Sequence, residues 1–353
     1  MNNNQISKIT NTPFFFIIGR PRSGTTMLRT MLDAHPNIII PLEHSNLIHL
    51  QQKYANNKTL TNQIVERLLD DFLNDYVSTQ WKIDKIELKK NLLSLVGNNT
   101  SFDSIIKIIY SHFQSSFKKE DIQLIGDKSP INSLYLLKLY YKSFRNAKFI
   151  YISRDPRDNI FSIKKNRTYP EPTAILANYW KKSVKQYFKL KNIAPRQIIH
   201  VKYEDLLKSP REELKRITSF LSIDFHNRML EFYKQKQNYS DNYIKKWEST
   251  LFKPLNQSHF DLWKKNMSSS DIKKIEYHCK KSIQQMSYEN RHTRFSFLYS
   301  LSQIPNIIGI LYQNFNRFIF DSLSFSLKNK IKKRKFILTI EINKLLKKNI
   351  EKK

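Results

Sequence analysis

The stretch FFFIIGRPRSGTTMLRTMLDAHP, residues 14–36, decides how the rest of the chain is read. Phe14 to Ile18 is a short apolar run of β-formers without polar alternation, the pattern of a strand buried on both faces of a parallel sheet. It ends at Gly19. From Thr25 onward the apolar residues fall at helical spacing until His35-Pro36 breaks the pattern. The opening unit is therefore strand, glycine-framed turn, helix. Gly19 and Gly24 are two of only five glycines in the chain, and both frame this one turn. Their spacing is that of the GxxxxGK[ST] phosphate loop, with Thr25 where the lysine would stand. Backbone N–H groups on such a turn, backed by the positive end of a helix dipole, can cradle an anion. The missing lysine, which would reach the β and γ phosphates, weighs against a nucleotide kinase or nucleoside triphosphatase, the alternative enzyme reading.

Outward from this unit, strand-like runs recur at Gln123–Gly126, at AKFIYISR (147–154) and at IIHVKY (198–203), each leading into a turn and a helical segment. Strands alternating with helices predict an α/β fold with a central parallel sheet, a P-loop-like three-layer arrangement whose ligands sit at the carboxyl ends of the strands. Residues 46–120 read as amphipathic helices broken at GNNTS, a helical insertion. A core domain over 13–290 and a basic, helical C-terminal extension over 300–353 complete the expected organisation.

Sixty-one basic residues against 30 acidic ones give a formal net charge of +31. That excess favours anionic partners without choosing among them. A basic nucleic-acid-binding protein is the rival from another class, but no zinc, RNP or helix-turn-helix signature appears and the basic residues are spread, so no specific nucleic-acid partner is expected. Cys279 is the sole cysteine, which excludes an intrachain disulfide and a cysteine-rich metal site and fits a reducing compartment. MNNNQISKITNTP lacks the basic-then-apolar pattern of a secretory signal. Ile304 to Ile319 is the longest near-apolar run, and Pro305, Asn306, Gln313, Asn314, Asn316 and Arg317 interrupt it before the roughly 20 residues a membrane span needs. A cytoplasmic protein is expected, with peripheral contact to an anionic membrane open to the lysine-rich segment 328–353.

GRPRSGTTMLRTMLDAHPN resembles the 5′-phosphosulfate loop of sulfotransferases that use 3′-phosphoadenosine 5′-phosphosulfate (PAPS), nearest the tyrosylprotein and carbohydrate group. The resemblance extends over about residues 13–290. FIYISRDPRDNIFSI (149–163) is similar to the family's 3′-phosphate segment, in which a strand ends on an arginine and a serine follows eight residues later, here Arg154 and Ser162. Gly126-Asp-Lys-Ser-Pro130 resembles the segment with a lysine after a central strand, Lys128, and Val201 to Leu206 resembles the tyrosine-bearing strand end, Tyr203. Trp247-Glu-Ser-Thr250 with Lys253-Pro-Leu-Asn256 resembles a late loop covering the nucleotide. That loop is shorter here between its two motifs, and Leu262 stands where the family has a lysine, so Ser249 and Lys253 match less closely.

The resemblance implies sulfuryl transfer from PAPS to a hydroxyl or amine acceptor, on carbohydrate, lipid or peptide tyrosine, releasing adenosine 3′,5′-bisphosphate. PAPS is then a co-substrate and no metal is required, because protein cations can neutralise the charge that magnesium meets in phosphoryl transfer. Arg22, Ser23, Gly24, Thr25 and Thr26 would hold the 5′ end, Arg154 and Ser162 the 3′-phosphate, and Tyr203, Ser249 and Lys253 the remainder of the nucleotide. Lys128 would stabilise charge at the transferring group. A hydroxyl acceptor also needs a base. Glu43 stands near the place of the family's catalytic glutamate and is favoured; its neighbour His44 is the alternative, since other branches of the superfamily use histidine.

Overall fold

The computed structural model describes residues 1–44, 47–57, 60–74, 81–97, 100–130, 134–166, 171–238, 251–256, 260–323, 327–328 and 330–331. The chain forms two compact units, Met1–Phe295 and Ser296–Lys353.

The first unit is built on five parallel strands: β1 Phe14–Gly19, β2 Ile38–Ile39, β3 Leu124–Lys128, β4 Lys148–Ser153 and β5 Ile198–Lys202, in the order β2-β3-β1-β4-β5. The opening stretch becomes the centre of the sheet. All six residues of β1 are buried, as its unbroken apolar run requires of a strand covered on both faces. β1 pairs with β3 on one side and β4 on the other, so successive connections leave in opposite directions and open a crevice beyond its carboxyl end.

Helices flank this sheet. α1 (Asn3–Asn11) precedes β1, and α2 (Thr25–Asp33) follows the glycine turn. The insertion resolves into α3 (Leu47–Tyr54), α4 (Asn62–Leu73), α5 (Lys85–Leu95) and α6 (Phe102–Ser111). Thr61, Asp84 and Ser101 cap the last three through their side-chain oxygens. α7 (Leu136–Lys142), α8 (Pro156–Lys165) and α9 (Thr173–Ile193) lead through the second half of the sheet to α10 (Tyr203–Lys208) and α11 (Pro210–Leu221). A 3-10 helix (Asn227–Asn238), α12 (Trp263–Asn266) and α13 (Ser269–Gln285) close the unit. Cys279 lies buried on α13, its Sγ 3.1 Å from the Ala177 carbonyl of α9, and burial pushes its thiol up to about 12.

Two local features differ from the sequence expectation. β2 is a two-residue strand inside Pro-Asn-Ile-Ile-Ile, too short to carry a periodic signal, and it exists because Ile38 and Ile39 pair with Leu124 and Ile125. β3 runs on past Gly126 through Asp127 and Lys128, both buried. Those polar residues are tolerated there because each has a partner: the Tyr110 hydroxyl donates to Asp127 at 2.8 Å, and Lys128 meets Glu43.

The second unit contains α14 (Phe297–Ser302) and α15 (Ile304–Ser322). The expected helical character of the extension beyond residue 331 lies outside the described residues.

Candidate functional site

Both glycines of the opening turn are required by close approach. A Cβ on Gly19 would lie 2.3 Å from the carbonyl oxygen of Ile152, its partner on β4. Gly24 has φ +87°, in the left-handed region, and a Cβ there would lie 2.3 Å from the Tyr203 ring. Arg22 also takes a positive φ, 68°, and the Ser23 N–H donates to the Arg20 carbonyl at 3.1 Å, closing a tight turn before α2. Gly24 is the N-cap of α2 and supplies no side-chain hydrogen bond, so no side chain of its own competes for the first amides of the helix.

The two anion segments that the sequence separates by about 130 residues meet here. Arg22 Nε donates to Ser162 Oγ at 3.1 Å, and an Arg154 guanidinium nitrogen lies 3.3 Å from the Arg22 carbonyl oxygen. Asn159, on the same turn of α8, donates to the Pro21 carbonyl at 2.7 Å and to Ser23 Oγ at 3.0 Å. Arg154 lies over the Tyr203 ring at 4.8 Å. Burial first, and then the nearby charge of Arg154, pull the Arg22 guanidinium below its usual value. Two partly buried cations held this close repel each other, a strain that the Asp158 carboxylate 3.9 Å from Arg154 offsets in part and that a bound anion would relieve.

Glu43 and Lys128 form the second half of the site. Lys128 Nζ contacts Glu43 Oε2 at 2.6 Å; the lysine side chain is 3% exposed and the glutamate 43%. One partner is thus fixed in the sheet while the carboxylate faces solvent. Ser129, the next residue, is fully buried, and its hydroxyl has no hydrogen-bond partner among the described residues. His44 goes the other way. It is buried, stacked on Phe72 at 4.2 Å and 5.9 Å from the Trp81 ring, with Nε2 3.4 Å from the Phe72 carbonyl. Its ring belongs to the aromatic packing of the helical insertion, whereas the Glu43 side chain is exposed.

Thr25 is buried at the start of α2, and Thr26 is partly exposed, its backbone carbonyl accepting from Thr30 Oγ1 at 2.9 Å. Lys253 is exposed. Ser249 lies outside the described residues.

Supporting residues that sequence reasoning did not single out hold these groups in place. Asp33, fully buried, accepts from Arg29 at 3.1 Å, from Ser115 at 2.8 Å and from the backbone N–H of Ile40 at 3.0 Å, and Lys119 lies 3.1 Å away. Arg29 in turn donates to the Ile40 carbonyl at 2.9 Å through Nε. The segment leading to Glu43 is therefore clamped on both its polar atoms at Ile40. At the start of α8, Arg157 joins Asp155 and Glu276, each at 2.6 Å, and lies 3.7 Å over the Trp263 ring. Asp158 accepts from the backbone N–H groups of Asp261 (2.6 Å) and Trp263 (2.9 Å), tying α12 to the start of α8. The doubled Arg-Asp pattern of RDPRD was the only sequence signal of this cluster.

A parallel α/β sheet with an amide-lined turn after β1, paired arginines beside it and a lysine-carboxylate couple after β3 defines a protein of the phosphate-loop class adapted to a polyanionic ligand. A model of the sulfotransferase family matches residues 13–227, and the chain belongs to that family. A putative protein-tyrosine sulfotransferase of Caenorhabditis briggsae is 28% identical over 61% of this chain and 67% of its own length. Protein-tyrosine sulfotransferase A of Caenorhabditis elegans is 26% identical over 62% of this chain and 52% of its own. The chain thus spans about half to two-thirds of the length of these curated relatives. Among solved structures, the sulfotransferase domains of the Synechococcus PCC 7002 olefin synthase and of the curacin biosynthetic pathway superpose with TM-scores of 0.50 each. They are 23% and 24% identical and cover 75% and 79% of this chain, and 94% and 98% of their own; they share its fold.

Proposed function

We propose that this chain uses PAPS as donor and transfers its sulfuryl group to the phenolic hydroxyl of a peptide tyrosine. The observation that carries this reading is the Glu43–Lys128 contact at 2.6 Å, which lies at the carboxyl end of β3, next to the strand that leads into the anion-binding turn. The names of the relatives support tyrosine over carbohydrate or lipid as the acceptor.

Each residue has a defined task. The loop amides with Arg22, Ser23, Thr25 and Thr26 neutralise the 5′ end of the donor, and Arg154 with Ser162 grips the 3′-phosphate, a difference from nucleoside triphosphates that lets the site select its nucleotide. Glu43 takes the acceptor proton as the new oxygen–sulfur bond forms. Lys128 stabilises negative charge as the old sulfur–oxygen bond to the 5′-phosphate breaks. His44 packs beneath the base and takes no proton. Tyr203, whose ring lies under the Arg154 guanidinium, lines the nucleotide side. A cytoplasmic setting is proposed on the single, buried cysteine.

Incubating the protein with sulfur-labelled PAPS and separate pools of tyrosine peptide, oligosaccharide and lipid acceptors tests this. Label is expected in the tyrosine peptide. Label in another pool alone overturns the acceptor, and binding of ATP as tightly as PAPS overturns the donor.

A further inference from the structure

The second unit carries an exposed apolar helix face. In α15 the residues Ile304, Ile308, Leu311, Tyr312, Phe315 and Phe318 recur at the three- and four-residue spacing of one helix face, and each is 47–70% exposed. Phe297 and Leu298 on α14 are still more exposed. The polar residues of α15 are the less accessible ones: Asn306, Gln313, Asn314, Asn316 and Arg317 are all half-buried. A helix that ends its packing against water shows the reverse arrangement, so this face is made to be covered.

We propose that α14 and α15 lie on the surface of an anionic lipid bilayer, with the apolar face of α15 in the headgroup boundary. Charge names the lipid. The segment 328–353, which follows directly, holds ten lysines and one arginine against two glutamates, an attraction to acidic headgroups that begins where the apolar face ends. Phenylalanine and tyrosine on the face suit the interface, where aromatic rings are favoured. No helix among the described residues is long and apolar enough to cross a membrane, so the helix lies along the surface. A second copy of this chain is the weaker occupant, because it brings an identical polybasic segment and the same +31 charge to the contact.

Co-sedimentation of the full chain with phosphatidylcholine vesicles, with and without phosphatidylserine, tests the proposal. Binding is expected only with phosphatidylserine, to weaken with salt, and to fall by about tenfold or more in Leu311→Glu and Phe315→Glu. Because Cys279 is buried, an environment-sensitive fluorophore attached in Phe315→Cys or Gln313→Cys reports one position at a time. A blue shift on anionic vesicles is expected at 315 and not at 313. Equal vesicle binding by the glutamate variants, or equal shifts at both labelled positions, overturns the proposal. So does a dimer in light scattering that the glutamate variants abolish while vesicle binding is absent, which assigns the face to a second copy.

Discussion

In the proposed reaction Glu43 serves chemistry and Arg154 serves binding, and substitution separates the two. Glu43→Gln keeps the shape of the side chain and removes its basicity. Turnover is expected to drop by about 10²–10⁴-fold, the usual worth of a positioned base, with the dissociation constant for adenosine 3′,5′-bisphosphate unchanged by calorimetry. Arg154→Ala should do the opposite. Losing a charge-assisted contact of about 1.5–3 kcal/mol should weaken that nucleotide by on the order of 10–100-fold, measured in the same calorimeter. Both residues were singled out in the sequence, Arg154 at the end of an apolar strand-like run and Glu43 by its place after the first helix, where the resemblance sets a glutamate. What the motif left open was the choice between Glu43 and His44, adjacent in the chain and chemically able to serve. Burial of His44 against Phe72 and Trp81 supports the proposal of Glu43, and neither aromatic residue lies near it in sequence.

At the scale of elements, the loop that carries Glu43 depends on the end of α2. Asp33 holds Arg29, Lys119, Ser115 and the Ile40 amide at once. Burial pulls Lys119 below its usual range and the Asp33 charge partly restores it, so the carboxylate is the group that keeps this cluster compensated. Asp33→Ala leaves two buried cations and an amide without it, at an expected cost of about 3–5 kcal/mol in denaturant unfolding, and turnover should fall in whatever fraction stays folded because the Glu43 segment loses its clamp. The strands β1, β4 and β5 were legible from their apolar runs. β2 and the last two residues of β3 were not, since a two-residue strand has no period and Asp127-Lys128 argues against a strand until Tyr110 and Glu43 are seen to pair with them.

Over the whole molecule, acid should loosen the fold through His200 on β5. Half-buried beside Ser153 and the rings of Tyr151 and Tyr187, it is lowered to about 4 by burial first, with the charges of Lys202 and Arg216 adding to it. A histidine held neutral in the fold binds fewer protons than in the unfolded chain. Its contribution is therefore complete above pH 6.5 and is lost as pH falls toward 4, on the order of 2 kcal/mol once partial exposure is allowed for. Denaturant midpoints measured across that window should fall with pH, and His200→Gln should flatten the slope. Local chemistry, read in order, was enough to determine the strand-turn-helix unit at residues 14–36 and the parallel α/β class, because each depends on neighbours within a few residues, whereas the side chains proposed to bind the donor came from the family resemblance. Only the tertiary structure brought Arg22 onto Ser162, Glu43 onto Lys128 and Asp33 under Ile40, and left the apolar face of α15 exposed. Those outcomes depend on strand order and on which surfaces the packing leaves exposed, and distant segments meet only after the sheet has set their distance and direction.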